Sequence, residues 1–245
     1  MRKFSIKAFA LLCLLVAVPA FAETVLYPAA GPVPYLDCDY RTAICLEDDF
    51  VSGGTTSGTV GRLGWNFAGG AVDYLAGEAN EAGIARRNTT GSSGVTGYTM
   101  LSTDQDIFVA GSMDVLWKAR LNQVDANTTF RIGAGYIVNA SPTNGQYFER
   151  LDADTNIFCV TRAAGVQTGS RTDSGVAADT SPHWFFVKRT ASTLVQFFID
   201  GVEVCRNTAN IPSQALTPFA HVINSTAADK TLDLMYFKLR YPVSR

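Results

Sequence analysis

Short runs of alternating apolar and polar residues, separated by clusters of Gly, Asn, Asp, Ser and Thr, fill the chain from Glu47 onward. In residues 112–121, Met113, Val115, Trp117, Ala119 and Leu121 fall on one side, with Asp114, Lys118 and Arg120 on the other. In 129–139, Phe130, Ile132, Ala134, Tyr136 and Val138 alternate with Arg131, Gly133 and Gly135. In 231–241, Met235, Phe237, Leu239 and Tyr241 alternate with Leu234, Tyr236, Lys238 and Arg240. Side chains two apart share one face of a sheet, so each run predicts a strand with a core side. Asp200-Gly201 between two apolar runs predicts a type I′ hairpin, whose central residues both need positive φ. Asn144-Gly145, close to Pro142, reads as part of a longer loop. Val72, Leu75, Ala76 and Ala79 have helix-like spacing, but Gly77 and Gly83 would each cost a helix about 1 kcal/mol. That stretch reads as strand, turn, strand. The pattern predicts an all-β fold, a two-sheet antiparallel jelly-roll sandwich over 46–245, with no linker to divide it.

The first residues follow a different pattern. Arg2, Lys3 and Lys7 precede an apolar run at 8–18, Pro19 breaks it, and Ala20-Phe21-Ala22 offers small residues for cleavage between Ala22 and Glu23. This is the layout of a secretory signal peptide over 1–22. The apolar run is shorter than the roughly 20 residues needed to span a bilayer. The expected product is secreted or periplasmic, with no membrane span after cleavage. Residues 23–45 contain Pro28, Pro32 and Pro34 and read as an extended lead-in followed by a short disulfide loop.

Of 245 residues, 20 are Lys or Arg and 22 are Asp or Glu, a net charge of −2 that becomes −5 when the three basic residues of the signal peptide leave. Without a basic excess, nucleic acid is not an expected partner. A hydrophobic fraction of 47% excludes a disordered chain. Of five cysteines, Cys13 leaves with the signal peptide. The remaining Cys38, Cys45, Cys159 and Cys205 suit two disulfides in an exported protein. Three pairings are possible, and Cys38–Cys45 with Cys159–Cys205 is favoured because each pair shares a sequence neighbourhood. With no Cys-x-x-Cys pair and only His183 and His221, a zinc site is not expected.

Three C-terminal stretches have a familiar form: His183-Trp184-Phe185-Phe186-Val187-Lys188, then Val195-Gln196-Phe197-Phe198-Ile199-Asp200-Gly201-Val202-Glu203-Val204, then Leu232-Asp233-Leu234-Met235-Tyr236-Phe237-Lys238-Leu239. They resemble the concanavalin A-like lectin/glucanase and laminin-G type jelly roll, in which a Trp-led strand is followed by a strand, Asp-Gly-Val, strand hairpin and the domain closes on a long strand. Glu47-Asp48-Asp49-Phe50, Leu63-Gly64-Trp65-Asn66-Phe67, Glu78-Ala79-Asn80, Gly83-Ile84 and Phe158-Cys159-Val160-Thr161-Arg162 add a likeness to such modules in structural proteins of tailed phages. Those modules often carry His-Pro where this chain has Glu81-Ala82, and a secretion signal does not fit a virion component. The resemblance implies a scaffold more than a chemistry.

Glucanases resembling this fold carry their acids on one strand as Glu-x-Asp-x-Glu or Glu-x-Asp-x-x-Glu, because retaining cleavage needs carboxylates about 5–5.5 Å apart. The sequence has no such run. Glu47-Asp48-Asp49 alternates across a strand, and Asp104/Asp106 and Asp152/Asp154 lack a third acid. Asp152, Asp154 and Asn156 form the candidate Ca²⁺ site, and no other cofactor is expected. His183 and His221 read as structural, so no triad is expected. For sugar contacts, Trp65 is the candidate stacking platform, and Tyr136, Tyr147, Arg131 and Arg150 are candidates on polar strand faces. Trp117 and Trp184 read as core. The expected function is an exported, non-catalytic module that binds glycan or a cell-surface or protein partner. The alternatives are an assembly protein of a phage-like particle or cell surface and, last, a divergent carbohydrate-active enzyme.

Overall fold

A computed structural model describes residues 38–50, 59–61, 63–68, 71–76, 83–89, 96–100, 111–138, 141–166, 168–226 and 228–243. The signal peptide, its cleavage point at Ala22–Glu23, and Asp104 and Asp106 lie outside them. The described residues form strands and no helix: β1 (Ala43–Asp48), β2 (Thr59–Val60), β3 (Trp65–Ala68), β4 (Ala71–Ala76), β5 (Gly83–Asn88), β6 (Thr96–Met100), β7 (Met113–Leu121), β8 (Thr128–Val138), β9 (Ser141–Arg150), β10 (Asn156–Arg162), β11 (Arg171–Ala177), β12 (His183–Thr190), β13 (Leu194–Ile199), β14 (Val202–Asn207), β15 (Thr217–Asn224) and β16 (Thr231–Pro242). They make two antiparallel sheets, as the alternation predicts. The first runs β14-β13-β12-β7-β16-β5-β4, and the second β11-β10-β9-β8-β15-β6-β3-β2. β1 joins the first sheet along β16, on the edge it shares with β5.

The main core lies between the sheets. Met113, Val115, Trp117, Ala119 and Leu121 of β7 face Phe130, Ile132 and Ala134 of β8 there, as their spacing predicts. The residues at 72–87 do form a strand pair, β4 with β5. Asp200 and Gly201 take φ of 50° and 83°, the double positive φ of the expected tight turn. Two expectations are corrected. In β16, Leu232 and Leu234 join the main cluster between the sheets and Met235, though buried, does not, because a bulge between Leu234 and Tyr236 shifts the alternation by one residue before Phe237 and Leu239. Asn144-Gly145 is not a loop. It lies inside β9, with Gly145 opposite Gly135, and the Asn144 side chain accepts from Ala164 N (2.8 Å) and donates to Gln214 (2.9 Å).

Both favoured disulfides are present. Cys38–Cys45 closes a short loop into β1, and Cys159–Cys205 ties β10 of the second sheet to β14 of the first. Such bonds belong to an oxidising compartment. Among the described residues no helix is long and apolar enough to cross a membrane.

A buried acid joins the sheets at their other end. Asp48, at the end of β1, accepts hydrogen bonds from Phe50 N (2.9 Å), Leu63 N (2.9 Å) and Trp65 Nε1 (3.0 Å). This fixes the turn from β2 to β3 against β1. Trp65 then packs edge-on against Phe237 and at a tilt against Trp117, with centroids 4.7 and 5.2 Å away. Gly61 is obligatory here: its φ is +71°, and a Cβ would stand 2.3 Å from an Asp48 oxygen. Gly61→Ala should destabilise the fold by about 2 kcal/mol or more. Asp48→Ala, which orphans two buried donors and one part-buried donor at about 1–3 kcal/mol for each buried one, should cost more than Gly61→Ala. Guanidinium unfolding of both variants checks that order.

A second clasp holds the β13–β14 turn. His183 Nδ1 meets Asp200 Oδ2 at 2.6 Å, its Nε2 meets Asp179 Oδ1 at 3.0 Å, and Trp184 N donates to Asp200 Oδ1. The Asp200 hydrogen bond raises the His183 pKa above 6.5 despite the opposing effect of burial. Burial alone would raise Asp179 and Asp200, but hydrogen bonds from His183 and from backbone N–H groups hold both below 3.8. A raised histidine stabilises the fold below its unfolded pKa, and that stability fades as pH rises through the folded value. The lowered carboxylates stabilise above their unfolded pKa and lose this as pH falls. The clasp is therefore strongest between the two ranges, around pH 5–6. His183→Gln should cost most stability there and progressively less above neutrality, as read by unfolding midpoints across pH.

Candidate functional site

Alternation divides the second sheet into an inner face and an outer one. Arg131 and Gly133 of β8, Tyr147 and Glu149 of β9, Val160 of β10, and Phe219 and His221 of β15 all point outward, away from the main core. This is where a sheet of this kind could offer side chains to a ligand. Instead these residues are packed and paired. Glu149, 2% exposed, receives Arg131 Nε at 2.7 Å and Arg171 Nε at 2.9 Å, and Arg171 also pairs with Asp154. The Arg171 guanidinium lies over the Phe158 ring at 3.6 Å. Burial, with the Glu149 charge beside it, pushes the Tyr147 hydroxyl up to about 12. Burial and the neighbouring Arg131 charge push His221 down to about 3, so it is neutral across the physiological range.

The residues expected to touch a ligand therefore have other roles. Trp65 is wholly buried and is no stacking platform. Its ring completes the core and its N–H serves Asp48. Tyr147 is wholly buried, and Arg131 is held on Glu149. Arg150 is buried and donates to the carbonyls of Thr128 and Asp125. Tyr136 is the exception, 39% exposed at the far end of β8. Each candidate Ca²⁺ ligand has protein partners. Asp152 accepts from Thr129 Oγ1, Asp154 binds Arg171 and Leu151 N, and Asn156 donates to Asp173. Among the described residues no three acidic, His or Cys side chains could hold a metal.

Among the described residues, an open cavity lies at β1, next to the Asp48 junction. Its volume is about 400 Å³, and it is lined by Tyr40, Cys45, Leu46, Glu47, Asp49 and Leu63. Asp48 is buried, while its neighbours Glu47 and Asp49 line the cavity together with Cys45 and Leu46. Leu63, whose N–H donates to Asp48, lines it as well. Glu47 accepts from Tyr236 OH at 2.6 Å and pairs with Lys238 at 3.3 Å, yet its side chain is 54% exposed. Tyr40, in the Cys38–Cys45 loop, is 71% exposed, the highest value among the large hydrophobic residues described. The wall thus combines an aromatic face, two aliphatic side chains and two carboxylates that accept hydrogen bonds. That suits a ligand with an apolar ring face and hydroxyl or amine donors on its rim. Sequence reading missed Tyr40, Glu47 and Asp49. The available signal was an aromatic residue inside a short Cys-to-Cys loop leading into a strand that ends on the acidic run Glu47-Asp48-Asp49.

Comparison with known proteins places this geometry on a familiar scaffold. No family model matches the chain, and no curated protein does. Among solved structures, the chain resembles SO2946, a protein of unknown function from Shewanella oneidensis MR-1, at 13% identity and a TM-score of 0.62, over 83% of this chain and 89% of that one. It also resembles the carbohydrate recognition domain of Emp47p, at 12% identity and a TM-score of 0.56, over 84% of this chain and all of that one. A third likeness is to the Crh5 transglycosylase, at 14% identity and 0.56, over 82% of this chain and 85% of that one. At these identities the likeness is one of fold: the chain has the concanavalin A-like jelly roll.

The ion network on the second sheet leads to a stability prediction. Glu149→Ala would leave Arg131 buried without its counter-charge, and loss of one partner from a buried pair typically costs about 3–5 kcal/mol. Urea unfolding of this variant should show a loss of that size.

Proposed function

We propose that this protein is an exported, non-catalytic module that binds glycan, and that the β1 cavity holds the sugar. The observation that carries this reading is the cavity wall itself. The largely exposed Tyr40 lines one cavity with the acids Glu47 and Asp49 and the aliphatic Leu46 and Leu63. A pyranose has one apolar face for the ring and hydroxyl donors for the acids. Resemblance to the Emp47p carbohydrate recognition domain supports the choice of ligand class, and the two disulfides support export. The carboxylates in the outer-sheet network are occupied by arginine, which favours binding over bond cleavage there.

The two acids also set a direction for selectivity. Neutral and amine-bearing glycans should bind, while uronate, sialylated or sulfated chains meet like charge. A glycan array probed with the oxidised protein should give hits confined to the first two groups. Tyr40→Ala should weaken those hits about tenfold, the scale of one lost aromatic contact. Binding restricted to polyanions would contradict the site. Silence from folded protein, together with a sugar-insensitive homo-oligomer, would favour the assembly role.

A further inference from the structure

Tyr40 reaches the cavity from an unusual support. The loop that carries it runs from Cys38 to Cys45 and is fixed in three ways. At its base is the disulfide. Inside it, Asp39 organises a turn: its carbonyl accepts from Thr42 N (3.0 Å) and Ala43 N (2.9 Å), and its carboxylate accepts from Arg41 N (3.0 Å). From outside, Val243 N donates to Thr42 O at 2.8 Å, tying the loop to the residue that follows β16. Asp39, Tyr40, Arg41 and Thr42 are exposed, so the loop buries little apolar surface that could hold it in place. Cys45, the second half of the bridge, is itself part of the cavity wall.

The two disulfides therefore differ in kind. Cys159 and Cys205 are buried between the sheets and join them. Cys38 and Cys45 are half-buried, close no long loop and hold no second element of the core. The local effect of the Cys38–Cys45 bridge is to limit the freedom of the residues that carry Tyr40. A ligand that stacks on a fixed ring avoids the entropy of ordering it, so the bond contributes to affinity through preorganisation.

We infer that the Cys38–Cys45 disulfide is a positioning element of the glycan site, holding Tyr40 on the cavity wall, so that opening this one bond weakens binding while the sandwich remains folded. This rests on the glycan reading given above. Opening the bond is an ordinary thiol–disulfide exchange. A dithiol reductant attacks one sulfur to form a mixed disulfide, then closes its own ring on itself. Two electrons and two protons pass to Cys38 and Cys45, and the reductant leaves as its cyclic disulfide.

The test uses the full oxidised protein, the double variant Cys38→Ser/Cys45→Ser, and Tyr40→Trp. The probe is chitotetraose, a neutral oligosaccharide with apolar ring faces and hydroxyl and amide donors. Binding is followed by calorimetry, and the mobility of the Tyr40 amide by NMR relaxation without ligand. The double variant should bind about tenfold or more weaker, keep a cooperative unfolding transition, and show the Tyr40 order parameter falling from about 0.85 toward 0.6 or below. Tyr40→Trp, which keeps an aromatic platform on the intact loop, should bind at least as well as the original. Equal affinity in the double variant with Tyr40 still rigid would overturn the inference and leave the glycan reading standing. If the intact protein binds neither chitotetraose nor any other neutral or amine-bearing glycan, the reading falls, and the affinity claim falls with it.

Discussion

The carboxylate of Asp48, buried at one end of the sandwich, is the contact on which the arrangement of the site depends. It sits at the end of β1, which pairs with β16 of the first sheet; of its three partners Leu63 precedes β3 and Trp65 opens β3 in the second sheet, while Phe50 follows β1. Three N–H groups converge on it, so the cost of burying the acid is offset and the turn is held against β1. Gly61 gives the room for this close approach. Trp65, aimed by the same acid, then completes the aromatic cluster with Trp117 and Phe237. Asp48 is buried, while its neighbours Glu47 and Asp49 line the cavity. Leu63, bound through its N–H to the same acid, lines the cavity too. The cavity thus combines a structural contact at Asp48 with the Cys38–Cys45 loop that carries Tyr40.

Elsewhere the acids serve the fold. Asp233, fully buried, receives Arg86 from β5 and Arg120 from β7, its direct cross-strand neighbours in the first sheet. Burial alone would raise its pKa, and the two guanidinium groups hold it below 3.8 instead. Glu149 plays the same part in the second sheet with Arg131 and Arg171. Charges fixed in this way are poorly placed to exchange protons or attack a substrate, since their lone pairs are occupied. The acids around the β1 cavity differ in exposure. Glu47 is tethered to Tyr236 and Lys238 but still meets solvent, where it can accept hydrogen bonds from a ligand.

Much of the fold could be read from the sequence because it depends on local rules. The alternation in β7 and β8, the Asp200-Gly201 turn and the strand pair at 72–87 follow from pattern and glycine placement. Reading failed where a long-range contact overrides the pattern. The bulge at Met235 shifts the phase of β16, and no composition signal marks it. Asn144-Gly145 has turn chemistry, yet the Asn side chain is used by Ala164 and Gln214, and the pair lies inside a strand. The candidate site was less legible still. Trp65, Tyr147, Arg131 and Arg150 have the right chemical types for sugar contact, but exposure decides the matter, and alternation does not say which polar-looking face is covered. Tyr40 lay in a segment read only as a disulfide loop. Its importance comes from the cavity that β1 and the Leu63 turn build beside it.

Chemical-shift mapping of the oxidised protein, titrated with a neutral glycan that binds it, tests the central claim most directly. If the β1 cavity holds the sugar, the largest shifts will fall on Tyr40, Cys45, Glu47, Asp49 and Leu63, and the β8–β9–β15 face will stay silent. Shifts centred on Arg131, Glu149 and Arg171, with Tyr40 unmoved, would place the ligand on the outer face of the second sheet and contradict the account.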